Sequence, residues 1–299
     1  MRKTIYLPLF SLSLLLLSNI AQAQERLLAY SEQSATLTKG NFEVYAGYDR
    51  KNGGTQYYNG NYGKVGFRMG VANYLSVAAF LNGSKVAYVA NQISPYDRKT
   101  RQFDAYITDE TEVFGTLSAK IMLLDGTTQP LGVALSNELS VGTHHFSFSP
   151  KFILDKKFGD NYLSFNAAMV FHTMREALKV ETITTPNAYA VSNYSANGSM
   201  SFLMPQYAFN LAYLRYFFDE NLALGVEVKT HSESQIDVGT AYFALFAGPT
   251  VSVRRDNWLL NVTALPQIKN LHKTWVAPDN LVLDAQQRVQ LRASIGIMF

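Results

Sequence analysis

Apolar and polar residues alternate along most of this chain, so that apolar side chains recur at every second position. In the segment 222–231 the even positions are mostly apolar, and they include Leu222, Leu224, Val226 and Val228. The odd positions of the same segment are small, charged or polar for the most part, and they include Gly225, Glu227, Lys229 and His231. Because successive side chains of an extended strand point to opposite faces, the pattern predicts a strand with one apolar and one polar face.

Tight turns separate many of these alternating runs. Five turn segments each end one run and begin the next, namely "GVANYLSVAAF" at 70–80, "LDGTTQP" at 124–130, "FGDNYLSFNAAMVF" at 158–171, "FFDENLALGVEV" at 217–228 and "RRDNWLLNVTAL" at 254–265. Asp, Asn and Gly suit such turns because they tolerate left-handed backbone geometry and hydrogen-bond to their own main chain. Each succession of strand, turn and strand is therefore predicted to form a β-hairpin.

Longer polar segments connect these hairpins, and they lie at 51–60, 83–111, 142–145, 176–199, 233–240 and 271–285. Because short turns and longer loops alternate along the whole chain, they delimit twelve antiparallel strands. The predicted strands are 41–50, 61–71, 74–82, 112–123, 131–141, 146–157, 162–175, 201–217, 222–232, 241–254, 258–270 and 286–299.

Two architectures bury an apolar face of this kind. In a soluble sandwich two sheets press their apolar faces together, whereas in a transmembrane barrel the apolar face meets lipid and the polar face lines a lumen. The even strand number, strands of about 9–14 residues and aromatic residues beside the tight turns favour the barrel. These aromatic residues are Tyr74, Tyr162, Phe217 and Trp258. The sequence therefore predicts an all-β fold, a transmembrane antiparallel up-and-down β-barrel of about twelve strands, with tight turns at the periplasm and longer loops outside.

A few residues depart from the ideal pattern of a barrel strand. Proline removes a hydrogen bond from the ladder between strands, and four prolines fall inside predicted strands: Pro150, Pro205, Pro249 and Pro266. Bulges or strand ends are expected there, because a closed barrel has no edge. Asn137 and Arg215 fall on the lipid-facing parity. Arg215 is close to a tight turn, where its side chain can reach water, and a bulge is expected at Asn137.

Composition and the N-terminus place the barrel in a secreted chain. Of the 299 residues, 47% are hydrophobic and 16% are charged, whereas soluble domains carry roughly 25% charged residues. Arg2 and Lys3 precede an apolar stretch that ends in a small-residue box at 21–23, which is typical of a cleaved secretory signal peptide. The expected division is a signal peptide at 1–23, a short periplasmic segment at 24–40 and an outer-membrane β-barrel at 41–299.

Charge and cysteine content exclude several classes of function. Two of the 26 basic residues lie in the predicted signal peptide, so the remaining chain has 24 basic and 23 acidic residues. With a net charge of +1 and no basic run interleaved with aromatic residues, no nucleic-acid partner is predicted. The chain has no cysteine, so disulfides and thiolate chemistry are absent.

The chain ends with "RVQLRASIGIMF" at 288–299, in which the odd positions are apolar up to Phe299. This segment resembles the last strand of bacterial outer-membrane β-barrels, whose terminal aromatic residue is the signal recognised by the barrel-assembly machinery. The resemblance implies the outer membrane of a Gram-negative-type bacterium, with outer-membrane lipids and the assembly machinery as partners and Phe299 as the assembly signal. In its rhythm of strands and turns the chain is also similar to the phenol-degradation-pathway-like transporter barrels, which are supposed to pass hydrophobic compounds.

Closure of the barrel also predicts a register between its ends. The last predicted strand pairs antiparallel with the first, because only closure satisfies every backbone donor and acceptor in lipid. This pairing brings Gly296 and Met298 near Glu43, and it brings Arg288 and Arg292 near Asp49 and Tyr45.

The interior parity carries many charged side chains. The residues predicted to line the lumen along the solute path are Glu43, Asp49, Lys64, Arg68, Lys120, Glu138, Glu227, Lys229, Arg288 and Arg292. Such residues pair to pack a narrow barrel or form a constriction that selects solutes, and the two roles are compatible. Aromatic residues on the same parity are Tyr45, Phe80, Phe114, Tyr242 and Phe246. The predicted function is an outer-membrane channel or transporter for passive passage of small-molecule solutes, hydrophobic or aromatic ones among them.

Two alternatives stay open at this point. One is a barrel with a closed lumen that binds a ligand or surface through its outer loops. The other is a lipid-modifying enzyme, since outer-membrane phospholipases are twelve-stranded barrels with a Ser activated by a His. His145 and Ser147 have that spacing, but Phe148 stands where the motif of that family has Asn. The sequence predicts that the protein is not an enzyme and has no catalytic residue, cofactor or metal.

Overall fold

The structure, a computed structural model, describes residues 28–53, 58–92, 104–126, 128–142, 145–174, 203–235, 239–274, 279–282 and 287–299. Within these residues the strands are β1 (Phe42–Asn52), β2 (Tyr58–Ala72), β3 (Leu75–Gln92), β4 (Asp104–Leu124), β5 (Gly132–Gly142), β6 (His145–Phe158), β7 (Asn161–Met174), β8 (Leu203–Phe217), β9 (Leu222–Gln235), β10 (Gly239–Arg255), β11 (Trp258–Asn270) and β12 (Val289–Met298). Each strand pairs with its neighbours in sequence, and β12 pairs with β1. The predicted antiparallel up-and-down barrel is confirmed.

The outer surface of the barrel is an apolar belt. Large apolar side chains on the predicted lipid-facing parity are more than two-fifths exposed, among them Val65, Leu117, Val226 and Leu260. Their neighbours of the opposite parity are buried, as Glu227 and Asn261 show with 0% and 1% exposure. No protein layer covers the belt in the described residues, so it is the surface that meets lipid. No helix in the described parts of the chain is long and apolar enough to span a membrane.

The seam between β1 and β12 has the predicted register at Glu43 and Asp49, but the arginines predicted near Tyr45 are not paired with it, and Arg288 precedes the paired residues. Glu43 pairs with Met298, Tyr45 with Gly296 and Asp49 with Arg292. Beyond the last pair, the Phe42 and Phe299 rings stack with centroids 4.7 Å apart. The ladder of the barrel is therefore complete between its first and last strands.

One predicted loop is mostly strand. Residues 83–111 were expected to form a long connection, but β3 continues to Gln92 and β4 begins at Asp104, with Gly83 paired to Val113 and Gln92 to Asp104. The prediction is wrong because the polar residues of this segment do not end the strands, and the backbone ladder continues past the apolar belt.

Two breaks in the ladder lie at the predicted proline positions. Between β10 and β11 the pairing is interrupted from Phe246 to Thr250, beside Pro249 and Pro266, and a register shift adjoins this gap. Between β6 and β7 the pairing skips Pro150. These breaks agree with the loss of the proline N–H. Pro205 lies near the start of β8, as expected.

The bulge expected at Asn137 is absent. Asn137 is exposed on the outer face and pairs in register with Pro150 on one side and Ala119 on the other. Arg215 is also exposed on the outer face, next to the tight turn as predicted, with its guanidinium 5.5 Å from the centre of the Phe217 ring.

Aromatic residues lie at the tight-turn end of the barrel, with one exception to the prediction. Tyr74, Trp258 and Phe217 are exposed on the outer surface there. Tyr162 is 5% exposed and donates a 2.7 Å hydrogen bond to Asp155 Oδ2. The placement of Tyr162 in an outer aromatic girdle is wrong, because its parity is that of the interior residue Ser164.

Candidate functional site

The segment 28–37 lies inside the barrel. Leu28, Tyr30 and Leu37 are buried, and the segment as a whole contacts β1, β3, β4, β6, β7, β8, β9 and β12. Only a segment within the lumen touches walls on all sides of a closed barrel. The prediction of a periplasmic position at 24–40 is therefore wrong for residues 28–37, and residues 24–27 lie outside the described residues.

Glu227 on β9 holds the inner part of this segment. Its carboxylate accepts hydrogen bonds from the backbone N–H groups of Ala29 at 2.9 Å, Tyr30 at 2.9 Å and Ser31 at 3.1 Å. The Thr263 hydroxyl donates a further bond at 3.1 Å to the same carboxylate. Such charge-assisted bonds are roughly twice as strong as neutral ones, so Glu227 is a principal anchor of the segment.

Asp155 on β6 holds the same segment nearer the tight-turn end. Its carboxylate accepts the Ser34 N–H at 2.5 Å and the Ser34 hydroxyl at 2.7 Å. Between the two carboxylates, Asn166 on β7 accepts the Glu32 N–H at 2.5 Å and donates to the Glu32 carbonyl at 3.0 Å. Buried backbone groups need partners of this kind, and side chains of the barrel wall supply them here in place of a strand.

The ring of Tyr30 lies among charged groups. The Arg292 guanidinium lies 4.0 Å and the Lys229 ammonium 4.5 Å from the ring centre. The Tyr30 hydroxyl donates to Asp49 Oδ1 at 3.2 Å, and Arg292 is paired with Asp49 at 2.9 Å. Burial among these groups raises the pKa of the Tyr30 phenol well above its ordinary value, so the hydroxyl is a neutral donor to Asp49.

The interior wall formed by β7–β11 carries two apolar clusters at the level of the segment. Leu28 packs in a cluster with Tyr162, Ala212, Leu214, Tyr216, Ala223 and Leu259. Tyr30 packs in a second cluster with Tyr242, Ala244, Phe246, Leu265 and Val282. The expectation of a polar interior is wrong only for these two clusters, because the segment covers their apolar side chains. Polar residues such as Asn166, Glu227 and Thr263 are buried on the same wall, which we call the packed half.

A cavity of about 300 Å³ lies on the opposite side of the segment, against the wall formed by β1–β6 and β12. We call this wall the open half. Residues 28–32 form one side of the cavity. The charged residues that line it are Glu32, Asp49, Lys51, Lys64, Glu138, Lys151 and Arg292. Its aromatic lining residues are Tyr30, Tyr45, Tyr48, Tyr62 and Phe114.

The charges of the cavity are arranged in pairs and over rings. Lys151 pairs with Glu32 of the segment and lies 3.9 Å from Glu138. Lys51 lies over the Tyr62 ring at 4.1 Å, and Lys64 lies over the Phe80 ring at 3.9 Å. The cavity therefore combines cationic, anionic and aromatic surfaces, which suits small amphipathic molecules.

A much smaller cavity lies against the next part of the segment, toward the tight turns. It has about 30 Å³ and is lined by Gln33, Ser34, Ala35, Asp125, Gly126, Asp155, Lys157, Tyr162 and Tyr216. The segment thus separates the larger cavity from the tight-turn end of the lumen.

The predicted lumen residues have different surroundings. Those that line the larger cavity are Asp49, Lys64, Glu138 and Arg292. Glu43 and Arg68 form a buried ion pair at 3.3 Å, while Lys120 donates to the Gln33 carbonyl at 3.2 Å and Lys229 to Gln290 at 3.0 Å.

Arg288 does not lie within a strand. It precedes β12 and is exposed, with its N–H bonded to the Asn52 carbonyl at 2.9 Å. Its placement in a strand at 286–299 is wrong.

Several residues of the site were missed by the sequence analysis. Tyr30, Glu32 and Ser34 belong to a segment that was expected outside the barrel. Leu28 and Tyr30, apolar positions in a short polar stretch, are the signal that could have indicated burial. Nothing in the alternation of the strands reveals that Asp155 and Glu227 bind this segment.

The pair considered for a lipid-modifying enzyme, His145 and Ser147, is only partly described. Ser147 is buried in the barrel wall, and the His145 and His172 side chains lie outside the described residues. Among the side chains that are described, no group of three His, Asp or Glu residues is placed to hold a metal ion.

A closed barrel with an apolar outer belt and a polar, partly filled lumen defines the class of outer-membrane β-barrel proteins. Within that class the chain belongs to the Family of unknown function (DUF6662), whose model matches residues 20–299. Among curated proteins none matches its sequence.

Solved structures are similar to this chain at low sequence identity. The COG4313 outer membrane channel from Pseudomonas putida F1 has a TM-score of 0.60 at 10% identity, over 89% of this chain and 98% of that one. The beta domain of the Bordetella autotransporter BrkA has a TM-score of 0.49 at 9% identity, over 87% and 100%. The KdgM porin has a TM-score of 0.46 at 9% identity, over 86% and 99%. The first of these confirms the outer-membrane barrel fold.

Proposed function

We propose that the protein is an outer-membrane channel for passive passage of small solutes, hydrophobic and aromatic ones among them. The observation that carries the proposal is the cavity of about 300 Å³ in the lumen. Small-molecule sites are concave and combine apolar or aromatic walls with a few placed polar groups. The rings of Tyr45, Tyr62 and Phe114 beside Lys51 and Lys64 supply both kinds of surface.

The fold supports a channel in a general way. The COG4313 protein, which has the same fold, is described as an outer membrane channel. The open half keeps charged side chains beside the lumen, as pathways for solutes do. In this proposal the longer loops face the outside, solutes enter the cavity from that end, and no catalytic step is involved.

A second candidate has an observation of its own in its favour. The segment 28–37 fills the lumen between the cavity and the tight-turn end, which suits a barrel with a closed lumen. Such a barrel would bind a ligand or a surface through its outer loops without passing it on. Passage of a solute across the membrane distinguishes a channel from a closed-lumen barrel that only binds a ligand.

The test is solute influx into liposomes that contain the purified full-length barrel, with 4-methylphenol and glycine as small probes. Influx above that of protein-free liposomes is expected. Asn82→Trp, which fills the cavity wall from β3, should reduce it strongly. Val113→Trp is the matched control, because Val113 is 58% exposed on the lipid-facing side of β4. Influx equal to that of protein-free liposomes would favour the closed-lumen barrel.

A further inference from the structure

We propose that residues 28–37 are a releasable plug, which closes the lumen at rest and must leave its position for solutes to pass. The inference rests on the proposed channel function and adds the element that controls it. Within the described residues this segment is the part of the chain that separates the larger cavity from the tight-turn end. Its position, its hold on the wall and its connection to β1 all bear on whether it moves.

The barrel is complete without the plug. Closure is made by β1 and β12, which pair from Glu43 to Asn52, and residues 28–37 contribute no strand to the ladder. Removing the plug from the lumen therefore breaks no pairing between strands. In this respect the plug differs from every strand of the wall, whose loss would open the barrel to lipid.

The plug is held mainly by groups that water can replace. Glu227 accepts three of its N–H groups, Asp155 accepts the Ser34 N–H and hydroxyl, and Asn166 binds Glu32 in both directions. When the plug leaves, these donors and acceptors become hydrated, so the net loss per hydrogen bond is small compared with its strength in isolation. A polar wall of this kind is compatible with a filled and with an open lumen.

The apolar contacts set the resting state. Leu28 and Tyr30 cover the clusters of the packed half, and their release exposes apolar surface to the lumen. The closed state is therefore favoured in the absence of solute, and the open state is the minor one. A solute with apolar surface that covers the same wall shifts the population toward opening.

Gly40 joins the plug to β1 in a conformation that suits a hinge. Its φ is +87°, in the region that disfavours residues with a side chain, and a Cβ there would meet nothing within 4 Å. The Gly40 N–H is bonded to the Gly70 carbonyl at 2.9 Å. This bond, together with those of Thr36 and Lys39 to Asn73, fixes the connection to the barrel at the tight-turn end. Release of the plug toward that end therefore requires these contacts to break or only the residues before Thr36 to move.

A disulfide lock tests the proposal in the full chain, which has no cysteine of its own. The Ser34 Oγ and Asp155 Oδ1 atoms lie 2.7 Å apart, so Ser34→Cys with Asp155→Cys places two thiols within reach of each other. The oxidised protein is tethered in the closed state, whereas the reduced protein has lost the Asp155 anchor. Reduction during a planar-bilayer recording should raise the open probability by roughly tenfold or more.

The possible outcomes of this recording distinguish failure of the plug proposal from failure of the proposed channel function. Equal conductance before and after reduction overturns the plug and leaves the channel standing. Silence in both states, with the protein folded by its heat-modifiable mobility in gels, overturns the channel and the plug together. The single variants Ser34→Cys and Asp155→Cys are the controls, and reduction should not change their conductance.

A second measurement needs no change to Asp155. Ser31→Cys places a thiol on the plug at a residue that is 1% exposed and whose Oγ has no hydrogen-bond partner among the described residues. Adding Glu227→Gln should speed its labelling by a water-soluble maleimide roughly tenfold, because the charged anchor of three N–H groups is lost. Glu112→Gln on β4 is the matched control, and it should leave the rate unchanged. Equal rates with Glu227→Gln and Glu112→Gln would overturn the proposal.

Discussion

The packed half and the open half of the lumen use the same interior parity for different purposes. In the packed half the interior residues of β7–β11 include two apolar clusters that Leu28 and Tyr30 cover. In the open half the interior residues are charged or aromatic and border a cavity. The alternation of apolar and polar residues therefore indicates which side chains face the lumen. The chemistry of those side chains indicates whether they pack against the segment 28–37 or border a cavity that a solute can enter.

The largest difference in stability between the packed half and the open half is expected when an aromatic ring is removed. Phe246 in the packed half is fully buried, so Phe246→Ala should lower the free energy of unfolding by about 3–5 kcal/mol. Phe114 lines the cavity in the open half and is only half-buried, so Phe114→Ala should cost less because less apolar surface leaves a packed environment. Urea titrations of the refolded barrels measure both. Equal losses would mean that the two halves are packed alike.

Substitution of a glycine by alanine should give the next largest difference in stability between the two halves. A Cβ at Gly225 on β9 would lie 1.9 Å from the Tyr213 carbonyl oxygen, whereas one at Gly63 on β2 would meet nothing within 4 Å. Gly225→Ala should therefore destabilise the barrel by about 1–3 kcal/mol through crowding. Gly63→Ala should change stability by less than about 0.5 kcal/mol. The same unfolding titration checks the pair, and a reversed order would contradict the packing described for β8 and β9.

The seam where the two ends of the chain meet gives a smaller effect on stability and a distinct one on assembly. Phe299→Ala and Phe42→Ala both remove the stacked pair, which contributes about 0.5–1.5 kcal/mol. Only Phe299→Ala should also lower the amount of folded barrel in the outer membrane of cells, if Phe299 is the assembly signal. Heat-modifiable mobility in gels measures the folded fraction. Equal folded fractions for the two variants would remove that role from Phe299.

The smallest effect on stability is expected for a charge in the open half. Lys64→Glu removes an ammonium from the Phe80 ring, a contact worth about 0.5–1 kcal/mol, and reverses a charge of the cavity. In a salt gradient the reversal potential should shift toward cation selectivity. Lys85→Glu is the control, because Lys85 is exposed on the outer face of β3. A shift of equal size with Lys85→Glu would show that surface charge causes it.

The sequence was sufficient for the barrel and its seam, but not for the contents of the lumen. Strand parity is a local property, and closure fixes which residues of β1 and β12 meet, so the pairing of Asp49 with Arg292 could be predicted. The anchors Asp155 and Glu227 bind residues 121 and 198 positions away in the chain. No periodicity encodes such contacts, because the plug is not a strand.

Tyr162 illustrates a conflict between two local rules. Its parity gave the correct interior position, but its place beside a tight turn suggested an aromatic girdle. The parity was decisive because Asp155 supplies a buried acceptor for the Tyr162 hydroxyl.

The position of the plug inside the wall has a consequence for the order of folding. The plug is bonded to Arg292 on β12, across 263 positions of sequence, and contacts of such separation form late. The compartment that receives the plug does not exist until β12 has paired with β1. We therefore expect docking of residues 28–37 to follow the pairing of the last strand. The barrel passes through a closed, empty stage, and refolding should show insertion of Tyr30 as a kinetic phase after the barrel has formed.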